Sequence, residues 1–304
     1  MSYGQLDRVL RDIQTFKYQG ATEVARATLN AYCDFGVRLQ LRRTTNWLSQ
    51  MKAARNYLWR NNRPTEPLAQ NGLRFVWDRV RRQPTKFILK RSTAEFLLLL
   101  VQTQERISLL GRALIQTGDK VYTHCHSSTV EQLLVKTHEK KKFHVFASET
   151  RPLYQGHITA KKLQAKRIPV TIVVDGAGPF LVSEASGKEL MMDSVVIGAD
   201  VISADGSIIN KIGSYGLTLA ASEQGVPVYI VCSLLKYSRS AATPIERRSA
   251  KEVWADAPVG VNIINFAFDR VPAKNITRLV TEFGLIEPSR VRAYVNKHYP
   301  WLLK

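Results

Sequence analysis

The chain has 304 residues, of which 44 are Lys or Arg and 25 are Asp or Glu, a formal net charge of +19. With 45% hydrophobic and 23% charged residues it has the make-up of an ordinary globular protein, long enough for one large domain or two smaller ones. These values exclude a disordered chain, a collagen-like fibre and a small disulfide scaffold.

Taken in chain order, the first half reads as helical. Leu6, Val9, Leu10, Ile13 and Phe16 recur at three- and four-residue steps, one face of a helix. A second helical run covers Glu23 to Leu41. A third covers Thr44 to Trp59 and stops near Asn61-Asn62-Arg63-Pro64, where proline biases its predecessor away from helix. Residues 93–116 form another. The longest purely apolar run, Phe96 to Val101, is about a third of a membrane-spanning helix. The N-terminus mixes charges into its helical pattern and does not read as a signal peptide.

After Thr117-Gly118-Asp119 the texture changes. Short β-branched or aromatic runs at 121–125, 143–148, 169–175, 194–200 and 227–232 alternate with helical stretches at 128–140, 158–166 and 214–224. Such alternation means βαβ units and a parallel sheet. The expected fold class is α/β, a helical N-terminal domain over residues 1–117 and a Rossmann-like domain over 118–304. No internal repeat is evident.

In such sheets ligands bind beyond the carboxyl ends of the strands. The first run ends in Thr123-His124-Cys125-His126, and Ser128 with Glu131 has capping-box spacing. Cys125 then precedes a helix N-terminus, which stabilises a thiolate. His124 and His126 alternate with Cys125 and face away from it, against a shared metal site. Arg151, after the second run, is a candidate clamp for phosphate or carboxylate. Gly176-Ala177-Gly178 departs from the dinucleotide fingerprint, with Leu181 where a third glycine belongs. The fourth run ends in Asp200, a candidate general acid raised by a partly dry cleft. Asn210 and Lys211 open the next helical segment, whose N-terminus suits a phosphate. Lys236 follows the fifth run at the same edge.

Two further features bear on partners. Residues 1–118 hold 20 basic and 8 acidic side chains, the remainder 24 and 17, and the excess is densest from Arg74 to Arg91. That field attracts nucleic acid, phosphorylated metabolites or acidic protein surfaces without choosing among them. Three cysteines (Cys33, Cys125, Cys232) without paired spacing argue against a disulfide framework or structural zinc and for a reduced, cytoplasmic protein.

The stretch from Gly198 to Ser238, with THCHSS at 123–128, ETRP at 149–152 and NFAFDRVPAKNITRLVTEFGLIEPS at 265–289, resembles one superfamily. It holds the α, β and δ regulatory subunits of eukaryotic translation initiation factor 2B together with sugar 1-phosphate isomerases. YQGATEVARA (18–27) and RPTEPL (63–68) match weaker segments. Cys125 and Asp200 together look like the ribose-1,5-bisphosphate isomerase branch. The resemblance implies an aldose–ketose isomerase with Cys125 as proton acceptor, Asp200 as proton donor, and no metal or nicotinamide cofactor. It implies substrate contacts at Gln19, Gly20, Ala21, Arg63, Ser127, Ser128, Arg151, Asn210, Lys211 and Lys236. The isomerases usually read Arg-Gly-Ala where this chain has Gln19-Gly20-Ala21, which removes a guanidinium expected on a phosphate. They usually have a large residue where this chain has GAGPF (176–180). The implied partners are a phosphorylated sugar and further copies of the chain, as a dimer or hexamer, with no membrane. The alternatives are a non-catalytic protein that binds initiation factor 2, and a methylthioribose-1-phosphate isomerase.

Overall fold

The computed structural model describes residues 3–18, 20–40, 44–63, 65–240 and 243–303. Five helices come first: α1 (Gly4–Gln14), α2 (Ala21–Arg38), α3 (Thr44–Asn61), α4 (Pro67–Val80) and α5 (Lys86–Leu110). Leu6, Leu10 and Ile13 bury the inner face of α1, as their spacing predicts. Helix α5 starts seven residues before the expected 93. Thr85 caps it, its hydroxyl accepting from the Ile88 N–H at 3.1 Å, and Pro84 ends the preceding turn. Leu41, at the expected end of the second helix, lies outside the described residues.

The second half alternates: β1 (Lys120–Thr123), α6 (Ser128–His138), β2 (His144–Ser148), α7 (Gln155–Ala165), β3 (Val170–Val173), α8 (Ala177–Leu181) and β4 (Ser194–Ile197). Then come β5 (Val201–Ile202), β6 (Ile208–Lys211), α9 (Ser214–Glu223), β7 (Val228–Val231), β8 (Phe268–Val271), β9 (Arg278–Thr281), β10 (Gly284–Ile286) and α10 (Val291–His298). The main sheet runs β3-β2-β1-β4-β7-β9-β10, parallel but for the last strand. Its parallel part has the doubly wound order, and the direction of strand addition reverses between β1 and β4. The fold is thus a helical layer followed by a Rossmann-like α/β sheet.

A second, antiparallel sheet, β5-β6-β8, corrects the sequence reading. Asn210 and Lys211 do not open a helix; they end β6, paired with Asp269 and Phe268. Helix α9 begins only at Ser214, and its N-terminus is already taken. The Asp269 carboxylate accepts from the N–H groups of Gly213 at 2.7 Å and Tyr215 at 3.0 Å. No phosphate is needed there.

One core runs from the helical layer into the sheet, from Leu6 to Leu302. The tie that matters for the cleft is Asn71 on α4. Its buried side-chain amide donates to the carbonyls of Leu235 at 2.8 Å and Tyr237 at 2.9 Å, fixing the turn that carries Lys236. From below, Glu282 accepts from Ser233 Oγ at 2.9 Å and the Leu234 N–H at 3.2 Å. Asn71→Ala leaves two buried carbonyls short of a donor, and the expected loss is about 2–3 kcal/mol of stability by urea unfolding. A loss below about 0.5 kcal/mol, the scale of an inert surface change, contradicts this clamp.

Candidate active site

The strand order makes a crevice beyond the ends of the paired strands β1 and β4, and the two segments after them meet there. Gly198 allows the contact: a Cβ at that position would lie 2.9 Å from the Ser127 side chain. Cys125 follows β1 and Asp200 follows β4, and both line one cleft that opens to solvent. Gly20, Ala21, Arg63, Ser127, Ser128, Asn210, Lys211 and Lys236, all expected from the sequence, line it too. Arg151 does not. Its guanidinium donates to the Tyr154 hydroxyl and the Val253 carbonyl, away from the cleft. Gln19 lies outside the described residues.

Two helix N-termini open onto the cleft. Ser127, not Ser128, caps α6; its hydroxyl accepts from the Val130 N–H at 3.4 Å. Gly20 caps α2 with φ 82°, a backbone shape open to glycine, and offers no side-chain cap to the amides behind it. First-turn N–H groups left unpaired in this way bind anions. Lys236 Nζ donates to the Ala199 carbonyl at 2.6 Å, which holds the ammonium beside Asp200. Lys211 Nζ lies 4.9 Å from the Phe268 ring centre. Phe16 faces three cations, with Arg248 at 3.9 Å, Arg63 at 4.6 Å and Lys211 at 6.0 Å from its centre.

A hydrogen-bonded network holds the Cys125 turn. Cys125 has φ 67°, the left-handed region that a side chain enters at a cost of about 1–2 kcal/mol. Its N–H donates to Thr150 Oγ1 at 3.0 Å, and its carbonyl accepts from Thr159 Oγ1 at 3.0 Å. Asp175 accepts from the N–H groups of Thr150 and Arg151, both at 2.7 Å. Thus Asp175, at the end of the third strand run, braces the loop that braces Cys125. His124 is buried, with Nδ1 2.6 Å from Ser148 Oγ and Nε2 2.8 Å from the Ile212 carbonyl. Burial lowers its pKa, so it serves as a neutral spacer between β1, β2 and β6. His126 turns instead toward Thr159, with Nδ1 3.1 Å from Oγ1. Among the described residues no group of three or more His, Cys, Asp or Glu side chains gathers to hold a metal ion.

Burial reverses the expectation for the Cys125 thiol. Desolvation pushes it up to about 11, against the pull of Lys211 and with Asp200 adding to the rise. Sequence reasoning also passed over Glu66, which lines the same cleft. Burial pushes this carboxyl up to about 7, the neighbouring Arg63 opposing. Glu66 lies three residues after Arg63 at the start of the proline-led α4, and no pattern around it marks a buried carboxyl.

Residues 17–288 match the profile of the initiation factor 2 subunit family. The chain is 32% identical over 300 residues to the ribose 1,5-bisphosphate isomerase of Methanocaldococcus jannaschii, spanning 96% of this chain and 94% of that one. It is 36% identical to the methylthioribose-1-phosphate isomerase of a Synechococcus strain over 62% of this chain and 58% of that one. Among solved structures, the translation initiation factor eIF-2B of Pyrococcus horikoshii OT3 superposes with a TM-score of 0.82 at 25% identity. That match covers 94% of this chain and 98% of the other.

The position of the Cys125 thiol is open to direct measurement, because only the thiolate is alkylated. In the ligand-free protein the iodoacetamide rate at Cys125, followed by peptide mapping, is expected to climb steadily from pH 7 and to level off only near 11. A plateau at pH 8 means that the helix end and Lys211 outweigh burial.

Proposed function

The chain belongs to the initiation factor 2 subunit family, and we propose that it is an aldose–ketose isomerase of a ribose 1-phosphate derivative. Ribose 1,5-bisphosphate ranks first as substrate, ahead of methylthioribose 1-phosphate. The observation that carries this reading is the meeting of Cys125 and Asp200 at adjacent strand ends. They share a cleft with Lys211, Lys236 and two helix N-termini. Substantial identity to isomerases across nearly the whole chain supports it.

A sugar phosphorylated at C1 cannot open unaided, because its anomeric oxygen is held in the ester. In the proposed sequence Asp200, as general acid, gives a proton to the ring oxygen as the bond from C1 to that oxygen breaks. Cys125, as thiolate, takes the C2 proton, and an enol 1-phosphate results. The thiol then returns its proton to C1 while the C2 hydroxyl proton passes to the Asp200 carboxylate, leaving a ketose 1-phosphate. Atoms and electrons balance with no external reagent. Each proton transfer contributes about 10²–10⁴-fold. The N–H groups at Gly20–Ala21 and Ser127–Ser128, with Arg63, Asn210, Lys211 and Lys236, would hold the phosphates and hydroxyls. The helical residues 1–117 and the α/β residues 118–304 would act as the two walls around the substrate, in a chain that assembles with its own copies.

The thiol at about 11 sets a condition on this chemistry. Thiolate is a minor form at neutral pH, and each unit of that gap adds about 1.4 kcal/mol to the barrier. A second reading draws support from the same fact: the fold binds a phosphorylated ligand or initiation factor 2 without turning anything over. Purified protein assayed with both sugar phosphates separates the two. Wild type is expected to form the ketose, and Cys125→Ser and Asp200→Asn to lose at least about 10²-fold in kcat. Full activity in Cys125→Ser overturns the mechanism. Ligand binding without turnover in wild type favours the second reading.

A further inference from the structure

Arg63 and Glu66 form an ion pair inside the cleft, with side chains 6% and 2% exposed and Nη2 2.5 Å from Oε1. One polar atom of each is left over. Arg63 Nε and Glu66 Oε2 are buried without a hydrogen-bond partner among the described residues. A guanidinium closed on a single bond retains donors for a second acceptor. The groups acting on Glu66 come from four segments: Arg63 beside it, Asp200 after β4, Lys236 after β7, and Glu246 in the segment before β8. Two are cations and two are carboxylates, and Lys211 and Arg248 share the Phe16 ring with Arg63. A doubly charged anion that reaches Arg63 meets a carboxylate already there, in a site too dry to screen the two from each other.

Resting on the reading that this cleft takes a phosphorylated ligand, we propose that anion binding at Arg63 discharges Glu66, so that each binding event takes up one proton. Glu66 gains the proton that solvent or a buffer acid loses, and no other bond changes. As a neutral carboxyl it becomes a donor, able to give a hydrogen bond to the bound anion or to Asp200. Glu66 is then a positioning residue: it holds Arg63 in the empty cleft and releases it when the ligand arrives.

The sign of the pH dependence follows from linkage. Burial has already brought Glu66 up to about 7 in the empty cleft. An added anion holds its proton to higher pH still. Below about pH 7 the carboxyl is protonated beforehand and binding takes up little. Above it, one proton enters with each anion, and affinity falls about tenfold per pH unit. The dependence belongs to binding and not to the proton transfers of Cys125, whose thiol titrates much higher.

Inorganic sulfate is the probe, because it stays doubly charged throughout pH 6–9 while a phosphate ester does not. Titration calorimetry at pH 8 in two buffers of different ionisation heat counts the protons. The expected result is about one proton per sulfate at pH 8 and close to none at pH 6. Glu66→Gln is expected to abolish the uptake, to bind sulfate about tenfold more tightly than wild type at pH 8, and to flatten the pH profile. Sulfate binding by wild type at pH 8 without proton uptake overturns the proposal, whatever the variant does. Arg63→Ala is expected to lose the proton-coupled binding; retention of it assigns the proton to another group and equally overturns the proposal. If wild type binds no sulfate at either pH, the anion-binding reading of the cleft falls first and this inference with it.

Discussion

At the reversal of strand order the ends of β1 and β4 are pressed together until there is no room for a side chain at Gly198, whose Cβ would lie 2.9 Å from Ser127. Everything in the cleft depends on that approach. It brings the N-terminus of α6 against the loop that carries Asp200, and it sets Cys125 and Asp200 on opposite lips of one crevice. The helical layer then closes the third side, because Asn71 fastens α4 to the turn behind Lys236. Lys236 in its turn is fastened to Ala199, one residue before Asp200. The helix, the turn and the strand end are linked hand to hand by hydrogen bonds.

Burial governs the ionisable groups around the cleft more than their neighbours do. Cys125 stands beside a helix N-terminus and near a lysine, the setting that lowers a thiol in open solvent, yet burial leaves it raised. Glu66 touches an arginine and is still pushed up. His124 is held neutral between a hydroxyl and a carbonyl. In each case the desolvation cost of the charged form exceeds the attraction of a single partner. The entry of a charged ligand changes that balance, since it brings its own charge.

Much of this was legible in the sequence, and the exceptions have a common cause. Apolar periodicity marks four of the five helices of the first half, α4 (Pro67–Val80) being the one it does not, and β-branched runs mark five of the parallel strands, because both patterns follow from which face is buried. Cys125, Ser127, Ser128, Asp200 and Lys236 lie in one cleft because they follow β1, β4 and β7 at the same edge of the main sheet, while Lys211 reaches it from the end of β6 and Arg63 from the helical layer. The small β5-β6-β8 sheet escaped notice because a two-residue strand such as Val201–Ile202 has no period to read. Lys211 was thus assigned to a helix when it ends a strand, and the helix end behind it is filled by Asp269, a residue 58 positions further on. Arg151 looked like a clamp from its place after a strand, but a side chain's direction is not written in its neighbours. Glu66 was overlooked for the converse reason: nothing local distinguishes a glutamate that will be buried from one that will be solvated.

The first 118 residues carry the denser basic excess, yet Arg63 is their only basic side chain among the described residues that line the cleft, and it is paired with Glu66. The lysines that face the cleft come from the less basic half, one tied to a carbonyl and one over an aromatic ring. Much of the dense Arg74–Arg91 stretch is spent locally, Arg79 and Arg91 on Glu95 and Arg81 on Asp78. What the helical half supplies to the cleft is mainly the bare N-terminus of α2, a partial positive charge that no count of lysines and arginines records. Such a dipole has no side chain to immobilise. A cleft that relies on it can hold one arginine in reserve, paired and buried, until an anion arrives to take it.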